Sequence, residues 1–141
     1  AANATKYIGP MTTMVHSQSY ILSPPAGPAG ESLYWASAVQ ILINLWTAAG
    51  AGLSWYSEVN YCVGGPTAFT DGCASGTNGQ STCHFATMLW KGVATIGCAF
   101  SHSVQPIVII CRYKAGDTLS LGTPNMNQAS GNYKLHVFPA K

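Results

Sequence analysis

Hydrophobic patterning divides the chain into short elements separated by Gly- and Pro-rich breaks. Residues 93–100 (VATIGCAF) and 104–113 (VQPIVIICRY) are rich in Val and Ile, and the short SHS run between them predicts two neighbouring β-strands. Residues 135–138 (LHVF) predict a late strand. Residues 32–47 (SLYWASAVQILINLWT) are so apolar that periodicity leaves helix and buried strand both open. This mixture predicts an α+β fold with an antiparallel sheet.

Other segments predict the helical part of the fold. Residues 1–15 predict one or two helical turns followed by a bend. A break is expected at residues 48–52 (AAGAG), followed by a helix over residues 53–61 (LSWYSEVNY) with Ser54 as its N-cap. Residues 84–90 (HFATMLW) form a further apolar segment. The tryptophans are expected to be core residues: Trp35, Trp46, Trp55 and Trp90.

Length and charge narrow the class of protein. The 141 residues suit a single domain over residues 1–141. Charged residues make up 7% of the chain, against about 25% in an average soluble domain. The six basic residues are scattered, so nucleic acid is excluded as a partner, and no apolar run reaches the roughly 18 residues of a transmembrane helix. Such a weakly charged surface is consistent with attached glycans, with burial against partner subunits, or with an extracellular location.

Cysteine usage favours an oxidising, extracellular compartment. Three cysteines fall in residues 62–83, a Gly-, Ser- and Thr-rich loop of the kind that disulfides commonly stabilise. The odd total leaves one thiol over, or pairs it between chains. Asn3-Ala4-Thr5 and Asn60-Tyr61-Cys62 are N-glycosylation sequons, so Asn3 and Asn60 are expected glycan sites. The five cysteines are Cys62, Cys73, Cys83, Cys98 and Cys111.

Two histidines and two glutamates stand in apolar surroundings: His16, Glu31, Glu58 and His84. A buried carboxylate is costly unless it is paired. These four side chains could bond to one another, bind a divalent cation such as Zn²⁺, or act as general acid and base. The alternative is that they are unrelated surface residues.

Six segments, in chain order, resemble motifs of the CAP superfamily. That superfamily includes cysteine-rich secretory proteins, pathogenesis-related proteins and venom allergens. The similarity covers about residues 12–124. His16-Ser17 with Gly30-Glu31-Ser32-Leu33-Tyr34-Trp35 resembles "HS … GENLxW", Trp55 to Tyr61 resembles "WYxEVxxY", and Cys83 to Trp90 resembles "C-G-HYTQxVW". Ile96-Gly97-Cys98-Ala99 resembles "LGCA", Ile109 to Asp117 resembles "VVCxYxPxGN", and Gly122-Thr123-Pro124 resembles the closing "GxxP".

The resemblance implies a three-layer α-β-α sandwich with a central antiparallel sheet. It also implies a cavity lined by His16, Glu31, Glu58 and His84. In relatives the two histidines can hold a divalent cation while the glutamates orient them, an arrangement known from other metal sites.

Departures from the family pattern lead to further expectations. The chain begins near the end of the usual first helix, so that helix is expected to be truncated or absent, and a second chain could complete the fold. By resemblance, Cys98–Cys111 is the expected strand-to-strand disulfide. Cys62 is expected to pair with Cys83, which makes Cys73 the spare thiol.

We therefore expect a secreted, non-enzymatic binding module. Its ligand would be a sterol, another lipid or a small molecule, with a divalent cation at the four His and Glu residues. The alternative is a structural or assembly protein of an extracellular matrix, wall or filament, whose partners are copies of itself or other extracellular chains. A more distant alternative is a metal-assisted hydrolase with His84 as the base and Glu58 orienting it.

Overall fold

The computed structural model describes residues 15–22, 27–36, 48–62, 82–100, 107–116 and 133–139. The expectations for the first helix, Asn3, Trp46 and Cys73 lie outside these residues. Among the described helices, none has the length and apolarity that crossing a membrane requires.

Three strands form an antiparallel sheet within the described residues. They are β1 (Gly30–Ala36), β2 (Val93–Phe100) and β3 (Ile107–Ala115), in the order β1-β3-β2. The two strands predicted on either side of the SHS run are confirmed, and they pair with each other as expected. The ambiguous apolar run that starts at residue 32 begins as strand β1. The predicted α+β class is therefore confirmed.

Both faces of the central strand β3 are buried. One face packs against helical residues, and the other packs against residues of the outer strands. The first cluster contains Ala51, Trp55, Ile109, Cys111 and Tyr113. The second contains Leu33, Ala99, Val108 and Ile110. Because alternate side chains of a strand point to opposite faces, this apolar strand has a core on each side, as a layered sandwich requires.

The helices are short. Helix α1 spans Ala48–Ser57 and continues into a 3₁₀ turn at Glu58–Tyr61. Helix α2 spans Cys83–Met88, and α3 spans Tyr133–His136. A further 3₁₀ turn at Ser19–Ile21 precedes β1.

The start of α1 differs from the expectation. Residues 48–52 are the first part of the helix rather than a break, and Ser54 lies inside the helix instead of capping it. Gly50 and Gly52 each disfavour a helix by roughly 1 kcal/mol relative to alanine. Burial outweighs that cost here, because Ala51 and Trp55, one helical turn apart, both pack against the sheet.

The late segment is also different, because residues 135–138 do not form a regular strand. Val137 makes one isolated antiparallel bridge, to Trp90. Backbone bonds tie the two segments together: Lys91 N donates to His136 O at 2.7 Å, and Phe138 N donates to Leu89 O at 2.9 Å. Val137 is fully buried in a cluster with Phe85 and Trp90, so this segment completes part of the core.

One of the two expected disulfides is confirmed. Cys98 and Cys111 lie opposite each other on β2 and β3 and are bonded. The expected Cys62–Cys83 disulfide is wrong, because Cys83 carries a thiol and Cys62 belongs to another disulfide, whose other half lies outside the described residues. The pairing that the resemblance implied for Cys83 therefore does not occur.

Three tryptophans can be compared with the expected core positions. Trp55 and Trp90 are buried as expected. Trp35 is about half exposed, since it lies near the end of an outer strand of the described sheet. The expectation of a core position was wrong for Trp35.

Truncating Ile110 should destabilise the fold strongly. This side chain is fully buried on β3, so Ile110→Ala is expected to lower the free energy of unfolding by about 2–5 kcal/mol. Ile96→Ala on β2 is the matched control, because Ile96 is 59% exposed and should change stability by less than about 1 kcal/mol. Urea unfolding followed by tryptophan fluorescence measures both. Equal losses of unfolding free energy in the two variants would contradict this packing.

Candidate functional site

His16 and Glu31 form the first of two histidine–glutamate pairs. His16 precedes the 3₁₀ turn at Ser19–Ile21, and Glu31 is the second residue of β1. Ala29 N donates to Ser19 O at 2.9 Å and ties the turn to the chain entering β1. The His16 Nδ1 lies 3.1 Å from Glu31 Oε1, with the histidine side chain 59% exposed and the glutamate 3% exposed.

The Glu31 carboxylate also binds Ser17 and Arg112. The Ser17 N–H donates to Oε1 at 2.8 Å, and the Ser17 hydroxyl donates to Oε2. Arg112 lies directly opposite Glu31 in the β1–β3 pairing, and its Nε donates to Oε2 at 3.1 Å. A second arginine nitrogen, Nη2, donates to the Ser17 hydroxyl at 2.9 Å. A buried carboxylate thus has both a charge partner and a full set of donors.

These contacts set the charge state of Glu31. Burial alone would raise the pKa of its carboxyl group. Hydrogen bonds from His16, Ser17 and Arg112 outweigh the burial and lower the pKa below its ordinary value of 4.5. Glu31 is therefore ionised at neutral pH and acts as an acceptor for its neighbours.

Glu58 and His84 form the second pair, at the start of α2. Glu58 Oε1 lies 2.6 Å from His84 Nδ1, and Oε2 accepts the backbone N–H groups of His84 (2.9 Å) and Phe85 (3.1 Å). The first N–H groups of a helix have no partner within the helix, so a carboxylate there meets donors that need one. Backbone geometry thus positions this pair.

Trp55 connects the second pair to the sheet. Its indole N–H donates to the Leu33 carbonyl at 3.2 Å, and its ring stacks on His84 with centroids 5.9 Å apart. Leu33 lies two residues after Glu31 on β1. The sheet that carries Glu31 therefore also supports the tryptophan beside His84.

The four expected site residues thus occur as two pairs. In each, the glutamate contacts Nδ1, which leaves Nε2 as the ring nitrogen outside that contact. Within the described residues, no three side chains of the His, Cys, Asp or Glu types are grouped so that they could hold a metal ion. The structure therefore shows two separate His–Glu contacts.

Arg112 is the site residue that reasoning from the sequence missed. A usable signal was present, since Arg112 stands between Cys111 and Tyr113 in an apolar strand and a buried arginine needs an anionic partner.

The hydroxyl groups next to the site residues have structural partners. The Ser17 hydroxyl is bonded to Glu31 and Arg112, and the Ser57 hydroxyl donates to the Ser54 carbonyl at 2.7 Å. In these contacts neither serine donates to a histidine nitrogen, as an activated nucleophile would.

Comparison with known proteins identifies the family. The model of the CAP family, described as the cysteine-rich secretory protein family, matches residues 3–113. The chain belongs to this family, whose members are generally extracellular and generally non-catalytic. No curated protein and no solved structure gives a significant match to the chain.

The depressed pKa of Glu31 predicts a loss of stability in acid. Because the folded pKa lies below the ordinary value of 4.5, the contribution is complete above that pH and is lost as the pH falls through the folded pKa. Glu31→Gln cannot titrate and lacks this contribution. The free energy of unfolding, measured in urea between about pH 3 and about pH 7, should be higher for the wild type than for the variant. This difference should narrow toward low pH. A difference in unfolding free energy that stays constant over this pH range would contradict the lowered pKa of Glu31.

Proposed function

We propose that this CAP protein is a secreted, non-enzymatic binding module. In the proposal, the Nε2 atoms of His16 and His84 are each a ligand that a His–Glu pair offers to a divalent cation, and exposed apolar side chains of the segment that carries His16 bind a sterol or another lipid. The observation that carries the proposal is the contact that each glutamate makes with the Nδ1 of its histidine.

The chemistry of the donors suits a cation such as Zn²⁺. Neutral imidazole is a common ligand of this metal, and a carboxylate on the other ring nitrogen fixes the tautomer and makes the ligand more basic. Both rings are also accessible, with side-chain exposures of 59% for His16 and 30% for His84.

The glutamates are poorly suited to serve as ligands themselves. Glu31 is neutralised by Arg112 and is almost completely buried, and Glu58 is occupied by two backbone N–H groups and His84. The imidazole of each pair would then be the protein ligand that this pair supplies in the described part of the chain, with water completing the coordination. We expect an exchangeable cation rather than a closed structural site.

Zinc binding tests this part of the proposal. Competition with a chromophoric chelator should show binding by the wild type, and His16→Ala and His84→Ala should each weaken it by at least about tenfold. His136→Ala is the matched control, since the ring of this histidine stacks on Trp90 and belongs to neither His–Glu pair. Variants of His16 and His84 that bind zinc as the wild type does would disprove the cation site.

Exposed apolar side chains lie in the segment that carries the histidine of the first pair. The segment that carries His16 also exposes more than half of each of three large side chains: Val15, Tyr20 and Ile21. Covering such a surface with a flat lipid would contribute about 25 cal/mol for each Å² removed from water. This surface supports the lipid part of the proposal.

Binding of labelled cholesterol tests the lipid part. Ile21→Ser should weaken binding about fivefold, because roughly 1 kcal/mol of apolar contact is lost. Leu135→Ser is the control, since Leu135 is exposed to the same extent (59%, against 60% for Ile21) but belongs to α3. Equal effects of the two variants, or no binding by the wild type, would contradict this assignment.

A hydrolase is a poorer explanation of the same geometry. Glu31 is held ionised, which removes it as a general acid at neutral pH. The hydroxyl groups of Ser17 and Ser57 are bonded to groups other than histidine. The proposed role is binding without turnover, in which the Glu58–His84 contact orients a cation ligand rather than a catalytic base.

A further inference from the structure

We propose that Arg112 is a positioning residue for the site. It orients the Glu31 carboxylate and, through that carboxylate, holds the His16 ring with Nε2 available to a ligand. This inference deepens the proposed function and depends on it only for the effect on cation affinity.

A closed triangle of hydrogen bonds fixes one carboxylate oxygen. Arg112 Nε donates to Glu31 Oε2, Arg112 Nη2 donates to the Ser17 hydroxyl, and that hydroxyl donates to the same Oε2. Two nitrogens of one planar guanidinium group thus reach two partners that are bonded to each other. A planar fork of this kind fixes orientation as well as charge.

Fixing Oε2 also fixes the direction of Oε1. Oε1 meets Ser17 N at 2.8 Å and His16 Nδ1 at 3.1 Å. The terminal torsion of a glutamate is soft. Without Arg112, Oε2 would keep only the Ser17 hydroxyl, a rotor that the Arg112 Nη2 contact now holds in place. Among the described residues, Glu31 is the only hydrogen-bond partner of the His16 ring, which is otherwise largely exposed. Orientation of His16 therefore depends on contacts that Arg112 completes.

The second pair provides an internal reference. Glu58 is held by the backbone N–H groups of His84 and Phe85, and no arginine takes part in those contacts. A change at Arg112 should therefore alter His16 and leave His84 as it is.

The direct test uses the protein without metal. Nitrogen-15 NMR of the imidazole rings at about pH 8, where an ordinary imidazole is neutral, reports which nitrogen carries the proton. Wild-type His16 is expected to be protonated at Nδ1. Arg112→Met should add the Nε2-protonated form at His16 only. Arg112→Lys should give a smaller change in the same direction, because one ammonium group cannot reproduce the fork.

Lys114→Met is the matched control. Lys114 is on the same strand, two residues beyond Arg112, and it is exposed to solvent. The variant removes one positive charge without touching Glu31, and its His16 spectrum should match the wild type.

Zinc affinity is a second measurement, because loss of charge and loss of positioning would change it in opposite directions. Removing the positive charge of Arg112 would by itself strengthen cation binding. Loss of positioning predicts the opposite, a weakening of about three- to tenfold in Arg112→Met, at or below the loss typical of a residue that orients a metal ligand.

The outcomes separate the two proposals. A wild-type His16 tautomer in both Arg112 variants overturns the positioning role, and if Arg112→Met does not fold, Arg112→Lys alone decides. Wild-type protein that binds no zinc overturns the cation site, while the NMR result still decides the role of Arg112.

Discussion

The site depends on the register between β1 and β3, which places Glu31 opposite Arg112. In a chain with only four acidic and six basic side chains, a buried carboxylate has few possible partners. A slip of one residue would turn Glu31 to the other face of the sheet, and it would also remove Leu33 from its apolar cluster. The packing of the core and the neutralisation of Glu31 therefore select the same alignment.

The two histidine–glutamate pairs reach a similar geometry by different physical means. Side chains of Ser17 and Arg112 hold the first carboxylate on the sheet. Helix N–H groups hold the second, at the start of α2. The first pair is therefore sensitive to single substitutions at a distance in sequence, whereas the second is built into the backbone.

The sequence correctly predicted those elements in which the intrinsic preference of the residues for helix or strand agrees with the way they pack. The strands on either side of the SHS run are rich in β-branched residues, and they form as predicted. The start of α1 could not be predicted in this way, because its glycines oppose a helix while the packing of Ala51 that favours it appears only in three dimensions. The four site residues were found through motifs. The contact between Glu31 and Arg112 spans 81 positions, and only strand pairing reveals it.

The burial of Val137 has a consequence for synthesis of the protein. Phe85 and Trp90 are translated well before the residue that completes their cluster. Until Val137 leaves the ribosome, the nascent chain carries an unfinished apolar surface, and domains tend to fold as units once their parts are present. This interval gives chaperones an opportunity to bind the apolar side chains that Val137 later covers.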